Sequence, residues 1–148
     1  MCGIVGIASH LPVSTELYES LIHLQHRGQD GSGMVTSDGR LHSKHGLGLV
    51  RETFTPENIL SLQGNFGIAH TRYGTSSGYH STDVQPLLLS ERGIALAHNG
   101  NLVNYAELAQ ECRLKHRHLN SSLDTEVLLQ LFSEGLEVAS SKDDQHFF

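Results

Sequence analysis

The sequence has few of the residues that build a disulfide-bonded, membrane-embedded or nucleic-acid-binding protein. Its 148 residues include two cysteines, no tryptophan, and 10 lysines and arginines against 16 acidic residues, for a formal charge of −6. The pair Cys2 and Cys112 makes no disulfide framework and is typical of a reducing compartment. The negative charge disfavours nucleic acid as a partner, because phosphate binding needs clustered Lys and Arg.

Long apolar runs are also missing. The longest ones, such as Leu87–Leu89, are far shorter than a membrane span, and the start of the chain lacks the basic region of a signal peptide. We therefore expect a cytoplasmic protein with no membrane partner.

Structural-zinc spacing is absent despite the 11 histidines. The closest histidine pairs have neither a second pair nor a cysteine nearby: His23 and His26, His42 and His45, and His116 and His118. The sequence therefore predicts no metal site and no cofactor in this chain.

What is present favours one globular α+β domain with antiparallel sheets. Hydrophobic residues make up 38% and charged residues 18%, and several strand patterns precede the later helices. The patterns predict strands over 2–8, 64–71, 86–89 and 94–98, and a hairpin of 33–37 with 41–45 around Asp38-Gly39. They predict helices over 15–25 (capped by Ser14 or Thr15), from Pro56 to Leu62, from an Asn104 capping box to about Cys112, and over 124–136. Residues 115–122 and 140–144 read as polar loops, and Cys112 as a small core residue.

Cys2 follows the initiator methionine directly, at the head of a short apolar strand. Removal of Met1 would leave a thiol and a free α-amine on one residue, which is the arrangement of N-terminal nucleophile enzymes. An α-amine has a pKa of about 7.7–8.0, so it can accept the thiol proton near neutral pH. Taken alone, an N-terminal cysteine is more often an accident than a nucleophile.

Three further stretches carry more polar chemistry than packing requires, and each has a plainer alternative. The stretch 26–33 holds three glycines and four strong polar groups. It is either part of a functional site or an ordinary surface loop. A strand leads to Arg72, whose planar fork suits a carboxylate but could also form a surface ion pair. Asn99 and Gly100 offer a side-chain amide and an unshielded backbone N–H, which suit an oxyanion hole or a simple Asn-Gly turn.

Together with Cys2, these parts fit hydrolysis of an amide on a free amino acid. The thiolate would attack the amide carbon, Asn99 and Gly100 would stabilise the oxyanion, and Arg72 would bind the α-carboxylate. Asp124 at a helix start suits the α-ammonium, or is a helix N-cap, or both.

Five ordered motifs in this chain resemble those of the class II glutamine amidotransferases. They are the segments 2–6, 24–30, 67–73, 96–104 and 124–126. Within that superfamily the nearest resemblance is to the amidophosphoribosyltransferases, which the string Gln25-His26-Arg27-Gly28-Gln29-Asp30 separates from the glucosamine-6-phosphate synthase type.

The resemblance implies an N-terminal nucleophile hydrolase fold, an αββα four-layer sandwich of antiparallel sheets. It implies that Cys2 is the nucleophile, that Asn99 and Gly100 form the oxyanion hole, and that Arg72 and Asp124 clamp L-glutamine. It adds three substrate-binding positions: Thr75, and Arg27 and Gly28 in the wall behind the nucleophile.

The chain departs from the family pattern in two local places and in length. Gly74 stands where the family usually has Pro, Ser or Ala, and Gly31-Ser32 replaces a more usual Ala or Ser followed by Ala. A glycine at position 74 would loosen the loop expected to close on glutamine. The family continues with strands that complete both sheets and with a phosphoribosyltransferase domain that uses Mg²⁺, so we expect 1–148 to be the N-terminal portion of a glutaminase domain.

The resemblance implies an enzyme that takes ammonia from glutamine and transfers it to phosphoribosyl pyrophosphate, a glycosyltransferase of purine biosynthesis. It also implies a homo-oligomer for the full-length enzyme. Two alternatives stay open: a glutaminase domain of the glucosamine-6-phosphate synthase type, and a non-catalytic remnant that binds glutamine or a partner without turnover.

Overall fold

A computed structural model of the chain describes residues 1–74 and 81–143, the last three of them by backbone alone. The chain divides into two compact units, Met1–Gly100 and Asn101–Phe148.

The first unit contains six strands and three helices among its described residues. The strands are β1 (Gly3–Ala8), β2 (Gly31–Ser37), β3 (Leu41–Leu47), β4 (Phe66–Arg72), β5 (Leu87–Leu89) and β6 (Ile94–Leu96). The helices are α1 (Ser14–Leu24), α2 (Val50–Thr53) and α3 (Pro56–Ser61), with 3₁₀ turns at Gln25–Arg27, Ser81–Asp83 and Ser90–Arg92.

Four of the strands form an antiparallel sheet in the order β1-β4-β2-β3. The central strand β4 pairs on one side with β1, where Gly3 lies opposite Thr71, and on the other with β2, where Gly31 lies opposite Arg72. Every residue of β2 is buried, as is the second half of β4. The end of β4 is therefore held on both sides by backbone hydrogen bonds.

The hydrophobic core of this unit lies under α1. Its apolar residues recur at helical spacing, and Leu17 and Leu21 are completely buried against the sheet and the short helices. The other buried members of the core are Val13, Met34, Val50, Phe54, Leu62 and Ala69.

Local turn chemistry confirms several predicted boundaries. The hairpin of β2 and β3 turns at Asp38-Gly39, where Gly39 has a φ of 105° that favours glycine. Helix α3 begins with Pro56, and the Thr55 hydroxyl accepts the N–H of Asn58 at 3.3 Å. Strands β5 and β6 form the predicted second hairpin, which turns at Gly93 in the left-handed region.

Two predictions for this unit were wrong, and one helix was not predicted. Helix α1 is capped by Val13 without a side-chain hydrogen bond, because the Val13 N–H bonds to the Gly64 carbonyl at 3.1 Å and its side chain fills the core. Strand β2 begins at Gly31, so the second half of the 26–33 stretch is a buried strand and not a surface loop. The helix α2 had no counterpart in the sequence prediction.

The second unit consists of α4 (Tyr105–Leu114) and α5 (Asp124–Asp143) among its described residues. They pack around buried Ala109, Cys112 and Val127, which confirms Cys112 as a small core residue. The Asn104 side chain makes no capping hydrogen bond, so the predicted capping box is wrong. Helix α5 continues to Asp143, so residues 140–143 are helical and not the predicted loop.

Candidate active site

Cys2 lies beside the end of β4, where it meets three other predicted site residues: Arg27, Gly28 and Arg72. The backbone N–H of Tyr73 donates a hydrogen bond to the Cys2 Sγ at 3.3 Å, and the same Sγ lies 3.9 Å from the Tyr73 carbonyl oxygen. A backbone N–H therefore lies against the sulfur, which is the atom through which a cysteine reacts as a nucleophile. Cys2 is partly exposed, so a substrate can reach the sulfur.

Arg27 and Gly28 hold the backbone around this sulfur. The Nε of Arg27 donates to the Cys2 carbonyl oxygen at 3.0 Å. A Cβ at Gly28 would lie 2.5 Å from the Arg72 carbonyl carbon, closer than real side chains approach backbone. Only glycine therefore fits between the 3₁₀ turn and the end of β4.

Arg72 is buried in an ion pair with Asp83, so the surface ion pair considered from the sequence is a buried one. Its Nη2 donates to Asp83 Oδ2 at 3.3 Å, and its Nη1 lies 3.3 Å from the same oxygen. That Nη1 is buried and has no hydrogen-bond partner among the described residues. Buried donors are normally satisfied, so this one is available to a ligand oxygen.

Asp30 ties the segment after β4 to the same region. Its backbone N–H donates to the Arg72 carbonyl at 3.0 Å, and its carboxylate accepts the N–H of Gly74 at 2.5 Å. Residues 72–74 are therefore fixed to the chain that follows the Gln25–Arg27 turn.

Asn99 and Gly100 follow strand β6 and are exposed. The Asn99 Oδ1 lies 3.0 Å from Nε2 of His70, a β4 residue that is 1% exposed. A Cβ at Gly100 would collide with the imidazole of His98, which lies against this glycine. Since His70 on β4 is three residues before Tyr73, which directly follows that strand, the partners of Asn99 and of Cys2 lie about 10 Å apart along the extended chain.

Burial lowers the pKa of His70 to about 4. The hydrogen bond to Asn99 opposes this lowering, and the smaller effect of the Arg72 charge adds to it. His70 is therefore neutral at physiological pH. A neutral imidazole carries one N–H, and we assign it to Nε2, because Nε2 faces an amide oxygen that can only accept.

Two predicted residues lie outside the described part of the first unit. Asp124 begins α5 in the second unit, where its Oδ2 accepts the Leu102 N–H at 3.0 Å. Thr75 lies outside the described residues. The roles of all these residues in catalysis or glutamine binding stay predictions.

Sequence reasoning missed the partners of the site residues: His70, Asp83 and Gln85, together with the loop anchor Asp30. Each acts on a residue 11 to 44 positions away, so no local pattern shows the pairing. The one available signal was polar residues inside apolar surroundings, since His70 follows buried Ala69 in a strand.

Among the residues that the structure describes, no group of three or more His, Cys, Asp or Glu side chains could hold a metal ion. None of the described helices combines the length and hydropathy needed to cross a membrane.

The family model of the glutamine amidotransferase domain matches residues 56–142. This match includes Arg72, Asn99, Gly100 and Asp124. Cys2 lies before it.

Curated relatives extend the similarity over nearly the whole chain. The amidophosphoribosyltransferase of Escherichia coli K12 is 43% identical over 141 residues, which cover 93% of this chain and 28% of the relative. The Saccharomyces cerevisiae enzyme of that name is 44% identical with the same coverage, and that of Methanocaldococcus jannaschii is 43% identical over 96% of this chain and 31% of the relative. The chain thus spans less than a third of the length of these relatives.

Solved structures show the same relationship in three dimensions. The glutamine phosphoribosylpyrophosphate amidotransferase of Bacillus subtilis, complexed with ADP and GMP, matches 88% of this chain and 29% of that chain with a TM-score of 0.77 at 38% identity. A structure described as the allosteric regulatory enzyme of purine biosynthesis matches with a TM-score of 0.78 at 39% identity, over 86% of this chain and 28% of that one. These matches and the antiparallel sheets confirm the predicted N-terminal nucleophile hydrolase fold, and the chain belongs to the glutamine amidotransferase domain family.

Proposed function

We propose that this chain hydrolyses the side-chain amide of L-glutamine with Cys2 as the nucleophile. The observation that carries the proposal is the Tyr73 N–H directed at the Cys2 sulfur, within a chain of the glutamine amidotransferase domain family. Met1 is 80% exposed, so its removal would free the Cys2 α-amine to act as the base.

The reaction proceeds through a thioester. The α-amine takes the thiol proton, and the thiolate attacks the amide carbon to give a tetrahedral oxyanion. The protonated amine then supplies the proton with which ammonia leaves. Water attacks the thioester, and glutamate and the free thiol are released.

Asn99 and Gly100 would stabilise both tetrahedral oxyanions. The Asn99 side chain and the Gly100 backbone each present an N–H donor on an exposed turn, and the Asn99 oxygen is already occupied by His70. Loss of one such donor typically costs about 10²–10³-fold in kcat.

Arg72 and Asp124 would recognise the two charged ends of the amino acid. The buried Nη1 of Arg72 makes no hydrogen bond among the described residues, and a guanidinium has five donors, so the ion pair with Asp83 leaves capacity for the glutamine α-carboxylate. Asp124 supplies the carboxylate for the α-ammonium. Arg27 and Gly28 would hold the backbone around Cys2 and Arg72 in place. Thr75 would also bind the substrate.

The released ammonia would serve transfer to phosphoribosyl pyrophosphate, giving 5-phosphoribosylamine and pyrophosphate in purine biosynthesis. This part of the proposal rests on the names of the matched relatives. We expect the transfer, its Mg²⁺ and assembly into a homo-oligomer to depend on the part of those relatives that this chain does not span. We also expect the enzyme to be cytoplasmic.

A glutaminase assay that measures glutamate and ammonia tests the proposal. Wild type should release both in equal amounts, and Cys2→Ala should abolish release, while Cys112→Ala, at the other and buried cysteine, should retain it. Turnover by Cys2→Ala at the wild-type rate would overturn the assignment of the nucleophile.

A further inference from the structure

One buried glutamine, Gln85, hydrogen-bonds the backbone of His98, the residue before Asn99 and Gly100. The Gln85 Oε1 accepts the His98 N–H at 2.6 Å, and the Gln85 Nε2 donates to the His98 carbonyl oxygen at 3.2 Å. Both backbone groups of the residue before Asn99 are thus bound by a single side-chain amide. Such a two-point contact fixes orientation as well as position.

Gln85 is itself fixed to the central sheet. It is 7% exposed, and its carbonyl packs so closely on Gly33 of β2 that a Cβ at position 33 would collide with it. The next carbonyl, that of Pro86, lies 2.7 Å from Nε2 of His45 on β3. The glutamine therefore connects the rigid sheet to the exposed turn.

His70 fixes the Asn99 side chain from the same sheet. Its Nε2–H donates to Asn99 Oδ1, so the oxygen end of the amide points to the buried imidazole and the NH₂ end points elsewhere. Without this donor the exposed amide could rotate and present its oxygen to the reacting centre, where an acceptor would repel a developing oxyanion.

We propose that Gln85 and His70 are positioning residues for the oxyanion-stabilising pair, Gln85 through the backbone of His98 and His70 through the side chain of Asn99. This proposal rests on the proposed glutaminase activity and deepens it. Neither residue touches the substrate; each acts by holding a donor where the tetrahedral oxygen forms.

The test compares steady-state glutamine hydrolysis by wild type, Gln85→Met, His70→Ala and His70→Gln. Gln85→Met keeps the length of the side chain and removes both hydrogen bonds. We expect kcat to fall about 10- to 100-fold with KM changed less than about threefold, because misplacement of a donor harms the transition state more than substrate binding. His70→Gln can donate to Asn99 again and should recover most of the loss seen in His70→Ala.

Alkylation of Cys2 by iodoacetamide separates positioning from general damage. This substitution at a methylene carbon forms no oxyanion, so its rate should stay within about twofold of wild type in all three variants. Gln63→Ala, at an exposed glutamine of the same unit, is the matched control and should leave both rates unchanged.

A double-substitution cycle completes the test. If His70 acts only through Asn99, then adding His70→Ala to Asn99→Ala should lower kcat by less than about twofold further. If Gln85→Met does not give a cooperative thermal transition, Gln85→Glu replaces it, since it retains the acceptor for the His98 N–H and opposes the His98 carbonyl.

Wild-type kcat in folded Gln85 and His70 variants would overturn the proposal while leaving the glutaminase assignment intact. Equal losses of kcat and of alkylation rate would also overturn it, since they indicate general disruption of the Cys2 site. Absence of glutamine hydrolysis in the wild type would instead refute the proposed function itself.

Discussion

Replacement of His70 should flatten the dependence of stability on acid pH. The pKa of this buried imidazole is lowered from an ordinary 6.5 to about 4 in the folded protein. Between pH 4 and pH 6.5, His70 is protonated in the unfolded chain but neutral in the folded protein. The free energy of unfolding therefore decreases as pH falls from 6.5 to 4, and this loss is complete below pH 4.

The magnitude follows from the same two values. At about 1.4 kcal/mol for each pKa unit, the His70 contribution is about 3 kcal/mol over the full window and about 2 kcal/mol between pH 7 and pH 4.5. His70→Gln removes the titrating group and keeps a polar donor. Its free energy of unfolding should thus fall by about 2 kcal/mol less than that of wild type between these pH values.

Urea unfolding at pH 7.0 and pH 4.5 measures the difference. His45, whose pKa is also lowered by burial, and the carboxylates titrate in both proteins, so their contributions cancel in the comparison. An equal loss of stability in wild type and His70→Gln would refute the claim that His70 is held neutral by burial.

Three further predictions test the packing around the site. Gly28→Ala places a Cβ against the Arg72 backbone and should destabilise the protein by about 1–3 kcal/mol in urea unfolding. Gly135→Ala, which adds a Cβ in open space on a helix, is the control and should stabilise the protein by about 0.5–1 kcal/mol. Equal effects of the two substitutions would contradict the close approach of Gly28 to Arg72. Asp83→Asn leaves the buried Arg72 charge uncompensated and should cost about 3 kcal/mol in the same measurement, and a change below about 0.5 kcal/mol would show the pair to be solvated. Burial raises the pKa of the Cys112 thiol. Peptide mapping after iodoacetamide treatment at pH 7 should therefore find alkylation at the partly exposed Cys2, and at Cys112 only after urea is added.

Local chemistry made part of the fold predictable. The Asp38-Gly39 hairpin and the Thr55–Pro56 helix start appear where the sequence placed them, because a left-handed glycine and a capping hydroxyl act within three or four residues. The cap of α1 was mispredicted for a nonlocal reason: Val13 is fixed by the core and by Gly64, which the helix pattern does not contain.

The candidate site divides in the same way. Cys2 and the turn at Asn99 stand out by residue type, and the structure adds a hydrogen bond to each. Their supporting partners, His70 and Gln85, could not be predicted, since they meet the turn only after β4 and the segment before β5 fold against β2. Residue type alone identifies the groups that can react, but the residues that position them become neighbours only when the sheet forms.

The most direct test of the central claim is intact-mass and peptide mass spectrometry of the protein after treatment with an electrophilic glutamine analogue. A single adduct on the Cys2 sulfur, in protein that has lost Met1 and no longer hydrolyses glutamine, is the predicted result. An inactivated protein that retains Met1, or that carries the adduct elsewhere, would contradict Cys2 as an N-terminal nucleophile.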